Sequence, residues 1–311
     1  MSSVKHIKQR IKSVRSISQI TKAMEAVSAT KMRRSQAFAL GARPYAVAAF
    51  QMLENLLART PELPPLLLGR PVKRSLLLVI ASDKGLAGAF NSAVLKKAEA
   101  RVEEQTKSGA PYAVIAVGKK ARDRFSRRRV PMEQSFVGFG DYTELRDTLP
   151  VANSVIQGFL EEKWDEVIAV YTNFKSTLKQ EAIIKKILPV TREGIEEMVT
   201  AILPERGRYS AEKTTNYKLQ TINYRYEYKF EPSPAEILNV LVPQLLRVHI
   251  HHIILESNAS EHSARMVAMK NASENAKELI GELSLLYNKS RQAGITRELT
   301  EITAGREALE V

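Results

Sequence analysis

The sequence predicts an α/β fold in two parts. A long antiparallel coiled coil forms from the chain's two ends, and a smaller α/β layer of about five strands lies between them. Three observations carry this reading. The first is charge: 47 Lys plus Arg stand against 34 Asp plus Glu over 311 residues, and residues 1–45 hold ten of those bases with Glu25 as their one acid. The second is a sustained 3.5-residue apolar spacing near the C-terminus. The third is a set of short apolar runs in the middle of the chain, bounded by polar turns. Cysteine is absent, which excludes structural disulfides, thiol catalysis and any Cys-containing zinc site.

The first element is a helix within residues 1–60. No glycine occurs before Gly41 and no proline before Pro44, and Ser3 is a fitting N-cap. Ile7, Ile11, Val14, Ile17, Ile20, Met24 and Val27 form an apolar stripe whose mean step is 20/6, about 3.3 residues, so it winds left-handed around the helix. Spacing resumes at Phe50, Leu53 and Leu57, so Gly41 and Pro44 are expected to kink the helix rather than end it.

Residues 73–230 change character. Ser75–Ala81, Tyr112–Val117 and Val167–Tyr171 read as buried parallel strands, and Glu181–Leu188 as a further strand. Residues 91–107 and 143–162 read as the helices between them. The result is a Rossmann-like domain. It carries an extra irregular segment at 190–216, followed by a one-faced strand, Ile222 to Phe230, in which aromatic and polar residues alternate.

The last element is a helix over 235–311. From Leu241 a seam runs through Leu245, Val248, His252, Leu255, Ala259, His262, Met266, Met269, Ser273, Ala276, Ile280, Leu283 and Tyr287 in alternating steps of 4 and 3. Such a period specifies a left-handed coiled coil. With Leu57 beside Ala235 in an antiparallel pair, Val4 lies beside residue 288. Residues 289–311 then overrun the partner by ~35 Å, at 1.5 Å per residue. They keep apolar spacing at Ile295, Leu299, Ile302 and Leu309, a stripe that calls for an external partner.

Chemical motifs are sparse. Gly118-Lys119 follows a strand, but Ala113 and Lys120 break the phosphate-loop pattern, and Gly138 and Gly140 are followed by Thr143 rather than the last glycine of a dinucleotide fingerprint. Ser82-Asp83-Lys84-Gly85 sits where an α/β sheet usually binds ligand, yet its glycines are explained by a tight turn. Of His249, His251 and His252, only the first and last share a helix face, and no carboxylate or cysteine completes a metal set. No catalytic, cofactor or metal site is expected. The longest apolar runs, such as Leu76–Ala81, fall short of the ~20 residues of a membrane span, and the charged N-terminus lacks a secretory core, so a cytoplasmic location is expected.

Four runs carry a family resemblance. Ile20-Thr21-Lys22-Ala23-Met24-Glu25-Ala26-Val27-Ser28-Ala29 with Lys31-Met32-Arg33 resembles the opening helix of the ATP synthase gamma subunit. Ala81-Ser82-Asp83-Lys84-Gly85-Leu86-Ala87-Gly88-Ala89-Phe90-Asn91 is similar to the family's segment after its first strand. Glu256 to Met266 and Tyr287 to Leu299 are similar to its final helix. The chain departs from typical bacterial members in the extra residues of 190–216, and it lacks the regulatory cysteine pair of the chloroplast type.

The resemblance implies a non-catalytic rotor shaft of the proton-translocating ATP synthase, coupling rotation of a membrane ring of c subunits to the catalytic beta subunits. It implies partners in the alpha and beta subunits, the epsilon subunit and the c-ring, with no nucleic acid and no membrane insertion. The location it implies is peripheral, on the cytoplasmic face of a bacterial inner membrane. Met24 with Lys22, Arg33 and Arg34 corresponds to residues that contact the surrounding subunits. Arg291, Gln292 and Thr296 match positions that engage a beta-subunit loop, while Ile295, Leu299 and Ile302 would fill an apolar collar above. From the residues alone two alternatives stay open: a basic coiled-coil protein that binds nucleic acid through residues 1–45, and a Rossmann-like enzyme, against which the broken phosphate motifs count.

Overall fold

The structure, a computed structural model, describes residues 4–41, 48–49, 52–53, 55–57, 60, 63–139, 143–191 and 230–307. In chain order the elements are α1 (Val4–Gly41), β1 (Ser75–Ile80), α2 (Phe90–Ser108), β2 (Tyr112–Val117), α3 (Lys119–Arg127), β3 (Met132–Phe136), α4 (Leu145–Leu160), β4 (Glu166–Phe174), β5 (Gln180–Leu188) and α5 (Pro234–Glu307). They divide into two compact units: residues 1–28 with 266–311, and residues 29–265.

The larger unit holds a five-stranded sheet in the order β3-β2-β1-β4-β5. Every pairing is parallel except that of β4 with β5, which a short hairpin joins. All six residues of β1 are buried, because helices cover both faces of the sheet and leave no polar side for its Ser-Leu-Leu-Leu-Val-Ile run. On one face Leu76, Leu78 and Ile80 pack with α4 and with Leu238, Val242, Leu246, Ile250, Ile253 and Ile254 of α5. On the other, Leu77 and Val79 pack with Val94, Ala98 and Val102 of α2 and with Ala121 and Phe125 of α3.

Ser233 starts α5: its Oγ accepts the Glu236 N–H at 3.2 Å, and Pro234 opens the first turn, where its missing N–H costs nothing. By length and composition this helix includes a window apolar enough to cross a membrane, with mean hydropathy 1.3. Of its apolar residues, Leu238, Val242, Leu246, Ile250, Ile253 and Ile254 are buried against the sheet, while Val240 is exposed.

One glycine is fixed by packing. A Cβ on Gly158 would lie 2.0 Å from the Trp164 ring, which is itself buried and donates its indole N–H to the Val155 carbonyl at 3.1 Å. Gly158→Ala should therefore destabilise the α/β unit by about 1–3 kcal/mol despite the gain in helix propensity. A melting temperature equal to wild type would show that the ring relaxes at no cost.

The smaller unit contains the first part of α1 and the last part of α5. Ser273 Oγ lies 3.5 Å from the Ser18 carbonyl oxygen. In an antiparallel pair this register sets Val4 beside residue 287, one residue from the sequence expectation. All fourteen seam positions of α5 are buried or half-buried.

The stripe on α1 needs correction. Ile7 is buried and Ile11 and Val14 are half-buried, but Ile17, Ile20 and Val27 are 52%, 59% and 51% exposed. The covered row continues instead through Ser18, Thr21, Glu25 and Ser28, so Ile7 to Ser28 takes six steps of 3.5 residues on average. Small hydroxyl side chains occupy the seam because they let two backbones approach closely, and the isoleucines stand beside it.

The fifth strand also differs. The strand expected at Ile222–Phe230 lies outside the described residues apart from Phe230. The described fifth strand is β3, Met-Glu-Gln-Ser-Phe, whose middle three residues are exposed. An edge strand with a bulge opposite Val114/Ile115 carries little apolar signal. Helix α3 likewise has no counterpart among the expected elements; only Ala121 and Phe125 of it are buried. Described helix resumes at residue 48, so the expected kink at Pro44, like residues 192–216 and Leu309, falls outside the described residues.

Candidate functional site

The order β3-β2-β1-β4-β5 puts the topological switch between β1 and β4, and a ligand would normally sit outside the C-terminal ends of those strands. In this chain that place is taken by residues 256–265 of α5. Glu256 Oε1 accepts the Phe174 N–H at 3.1 Å, and Ser260 Oγ donates to the Thr172 carbonyl at 3.3 Å, both at the end of β4. Ser263 Oγ donates to the Thr177 carbonyl at 2.7 Å and accepts from Gln180 Nε2, gripping the β4–β5 hairpin. Arg265 donates through two nitrogens to the Gly85 carbonyl in the loop after β1, and pairs with Glu261 one turn back.

The loop after β1 is shaped to meet this helix. Asp83 accepts the Lys119 and Gly138 N–H groups at 2.7 and 2.8 Å, which ties the starts of α3 and of the β3 exit turn together. Ser82 N–H and Oγ both donate to Asn91 Oδ1. Gly118 takes φ +92 and a Cβ there would lie 2.2 Å from the Ala81 carbonyl oxygen, so its glycine serves close packing rather than phosphate binding. In the SDKGLAG segment the left-handed residues are Leu86 and Gly88, not Gly85.

Burial sets the protonation of the α5 polar row. His249 and His252 are buried, and their Nε2 atoms have no protein partner. Burial holds His252 down to about 4 and His249 well below its ordinary value, with neighbouring His252 and Lys185 adding to the effect on His249. Burial pushes Glu256 up to about 8, against the opposing pull of the Phe174 N–H and Lys185. Burial thus favours the uncharged form of both rings and of the carboxyl.

Glu256 binds its proton more tightly folded than unfolded, so its contribution is fully present below about 4.5 and is lost as pH rises through about 8. The histidines act oppositely, losing stability as pH falls from about 6.5 toward 4. Glu256→Gln keeps an acceptor for Phe174 and removes the alkaline loss. Its stability advantage over wild type should grow by of order 3 kcal/mol between pH 5.5 and 8. Denaturant titrations giving the same difference at both pH values would place Glu256 in water.

The residues singled out from the sequence fall in three places. Arg291, Gln292, Ile295, Thr296, Leu299 and Ile302 lie on the part of α5 beyond residue 287. At 100° per residue they occupy one sector of about 140°. Ile295, Leu299 and Ile302 are 49%, 58% and 67% exposed, and Thr296 Oγ1 donates to the Gln292 carbonyl. Met24 shares a sector of about 80° with the exposed Ile17, Ile20 and Val27. Lys22 points elsewhere and pairs with Glu25 at 3.1 Å. Arg33 and Arg34 are exposed and belong to the other unit. Among the described residues no group of three potential ligands could hold a metal.

Sequence reasoning missed the clamp at 256–265, because its residues are polar and interrupt an apolar seam. Their density was the available signal: serines and charged residues crowd a stretch where a coiled coil wants aliphatics.

The sequence profile of the family described as ATP synthase matches residues 3–309. The ATP synthase gamma chain of Roseiflexus castenholzii is 40% identical over 314 residues, covering 99% of both chains. That of Moorella thermoacetica is 38% identical, covering 99% of this chain and 100% of its own. The chain belongs to the ATP synthase gamma chain family. Among solved structures, a chain of the Euglena gracilis mitochondrial ATP synthase (OSCP/F1/c-ring) aligns with TM-score 0.61 at 18% identity, covering 98% of this chain and 94% of that one. A central-stalk chain from Tetrahymena thermophila aligns with TM-score 0.56 at 23% identity, covering 82% and 99%. Gamma chains are stalk subunits without a catalytic role, and the plugged crevice at β1 and β4 fits that assignment.

Proposed function

We propose that the chain is the central rotor shaft of a proton-translocating ATP synthase on the cytoplasmic face of a bacterial inner membrane. Alpha and beta subunits surround its paired helices, and the epsilon subunit and c-ring meet its α/β unit. The observation that carries this is the free end of α5, exposed for some 30 Å beyond its partner while keeping an apolar row. The exposed Ile17, Ile20 and Val27 on α1, with the half-buried Met24 in the same sector, support it. A shaft biases three equivalent beta subunits only by touching each differently, and these two rows, on different helices, make it asymmetric.

The clamp supplies the coupling. A helix held at one point swivels, whereas one gripped at Glu256, Ser260, Ser263 and Arg265 turns with the α/β unit. Arg291, Gln292 and Thr296 are assigned to a beta-subunit loop, Ile295, Leu299 and Ile302 to an apolar collar, and Met24 with its neighbours Lys22, Arg33 and Arg34 to the ring's lower rim. The nucleic-acid alternative is not favoured: an overrunning apolar tail has no role on a polyanion.

Mixed with alpha and beta subunits, the chain should co-elute with an ATP-hydrolysing ring while binding no ATP alone. A variant with Ile17, Ile20 and Val27 changed to Ser should melt within about 1 kcal/mol of wild type, because all three are exposed, and should co-elute poorly. Tight ATP binding by the free chain, or full co-elution by the variant, would refute the assignment.

A further inference from the structure

We infer that the α3 ridge is a docking surface for an acidic segment of another protein, separate from the two apolar rows assigned above. Between Lys119 and Arg129 the sequence reads Lys-Lys-Ala-Arg-Asp-Arg-Phe-Ser-Arg-Arg-Arg, seven bases against Asp123. Only Ala121 and Phe125 of α3 are buried. Arg124 and Arg128 lean on α2, where both meet Glu99, and Arg128 also reaches Glu103. No carboxylate lies within ion-pair distance of Lys119, Lys120, Arg127 or Arg129 among the described residues, and all four side chains are exposed.

This arrangement works against the helix that carries it. Lys119 and Lys120 occupy the first turn, where the helix dipole disfavours positive charge. Lys120 stands four residues from Arg124, a repulsive spacing, and at seven residues Arg127 points the same way. Arg129, with a left-handed φ of 53°, belongs to the helix end: its N–H donates to the Ser126 carbonyl and the next N–H to that of Phe125. Glu99 offsets the charge of Arg124, but among the described residues no carboxylate faces Lys119, Lys120 or Arg127; an external carboxylate surface would supply one.

The partner's chemistry follows from what lies beside the ridge. Asp83 ties the Lys119 N–H to the Gly138 N–H, so Val137, 47% exposed, sits at the ridge's N-terminal end. One apolar anchor beside a charged rim is the anatomy of a protein interface. Phe125 is buried and Phe136 and Phe139 pack into the core, so no aromatic platform is offered to nucleic-acid bases. A lone valine is too little to seat in a bilayer.

Zero-length carbodiimide cross-linking of the native membranes that contain the chain tests this, since it joins lysine amines to carboxylates only in direct contact. The expected result is Lys119 or Lys120 coupled to an Asp or Glu of a different polypeptide, reduced about tenfold by Lys120→Glu with Arg127→Glu, changes that leave the melting temperature unaltered. Such an adduct with a polypeptide outside the ATP synthase would support the ridge while removing the rotor assignment. An adduct yield unaffected by the double variant, or none in wild type, overturns the proposal. So does capture of the chain by phosphatidylglycerol vesicles that the double variant abolishes, which would make the ligand a lipid headgroup.

Discussion

Leu255→Asp should lower the stability of the isolated chain by about 3–5 kcal/mol, whereas Leu285→Asp on the same helix should leave it unchanged. Leu255 is 2% exposed and lies on the seam of α5; Leu285 is 74% exposed. At the buried site an ionised carboxylate has no partner, so it either forces the packing open or takes up a proton, and both cost several kcal/mol. The polar row around it offers no rescue, because burial keeps His252 uncharged. The substitutions match in helix propensity and in charge, so any difference between them reports burial alone. Circular dichroism melts of the two variants and wild type decide the matter. Equal melting temperatures for Leu255→Asp and wild type would show that this part of the seam faces water.

The second large effect belongs to assembly. Replacing both Arg291 and Gln292 by Ala should weaken incorporation into the alpha/beta ring and slow ATP turnover, with no change in the free chain. Both residues are exposed, so their loss costs the isolated fold nothing. Charge-assisted hydrogen bonds to a partner contribute about 1.5–3 kcal/mol each, enough for a tenfold or greater effect on binding. Truncation before Ile302 should be milder, since it removes one collar contact and keeps Arg291 and Gln292. Complex yield and ATPase rate of the two reconstituted rings separate the cases. A double variant equal to wild type in both would show that Arg291 and Gln292 make no such contact.

How much of this was legible in the sequence depended on whether apolarity was the signal. The α5 seam could be read residue by residue, because leucines and alanines at steps of 4 and 3 leave little choice of face. β1 and β2 were equally plain, being continuous apolar runs buried on both sides. The covered row of α1 was hidden. Ser18, Thr21 and Ser28 carry the contact, and hydrophobic periodicity follows the neighbouring Ile17, Ile20 and Val27 instead. β3 escaped for a related reason: as an exposed edge strand it buries almost nothing, so nothing marked Met132–Phe136 as sheet. The clamp at 256–265 joins residues some 80 to 180 positions apart, and no local pattern reports such pairing.

The crossing of α5 over the ends of β1 and β4 changes what evolution can do with this domain. In an ordinary doubly wound sheet that position is a socket, and drift there is limited by the shape of a small molecule. Here it is a joint, and the groups facing the strand ends belong to the same polypeptide. A serine hook lost at Ser260 or Ser263 can be offset by a new one a turn away. The chain can retune the stiffness of the joint by single substitutions and never has to rebuild a binding pocket.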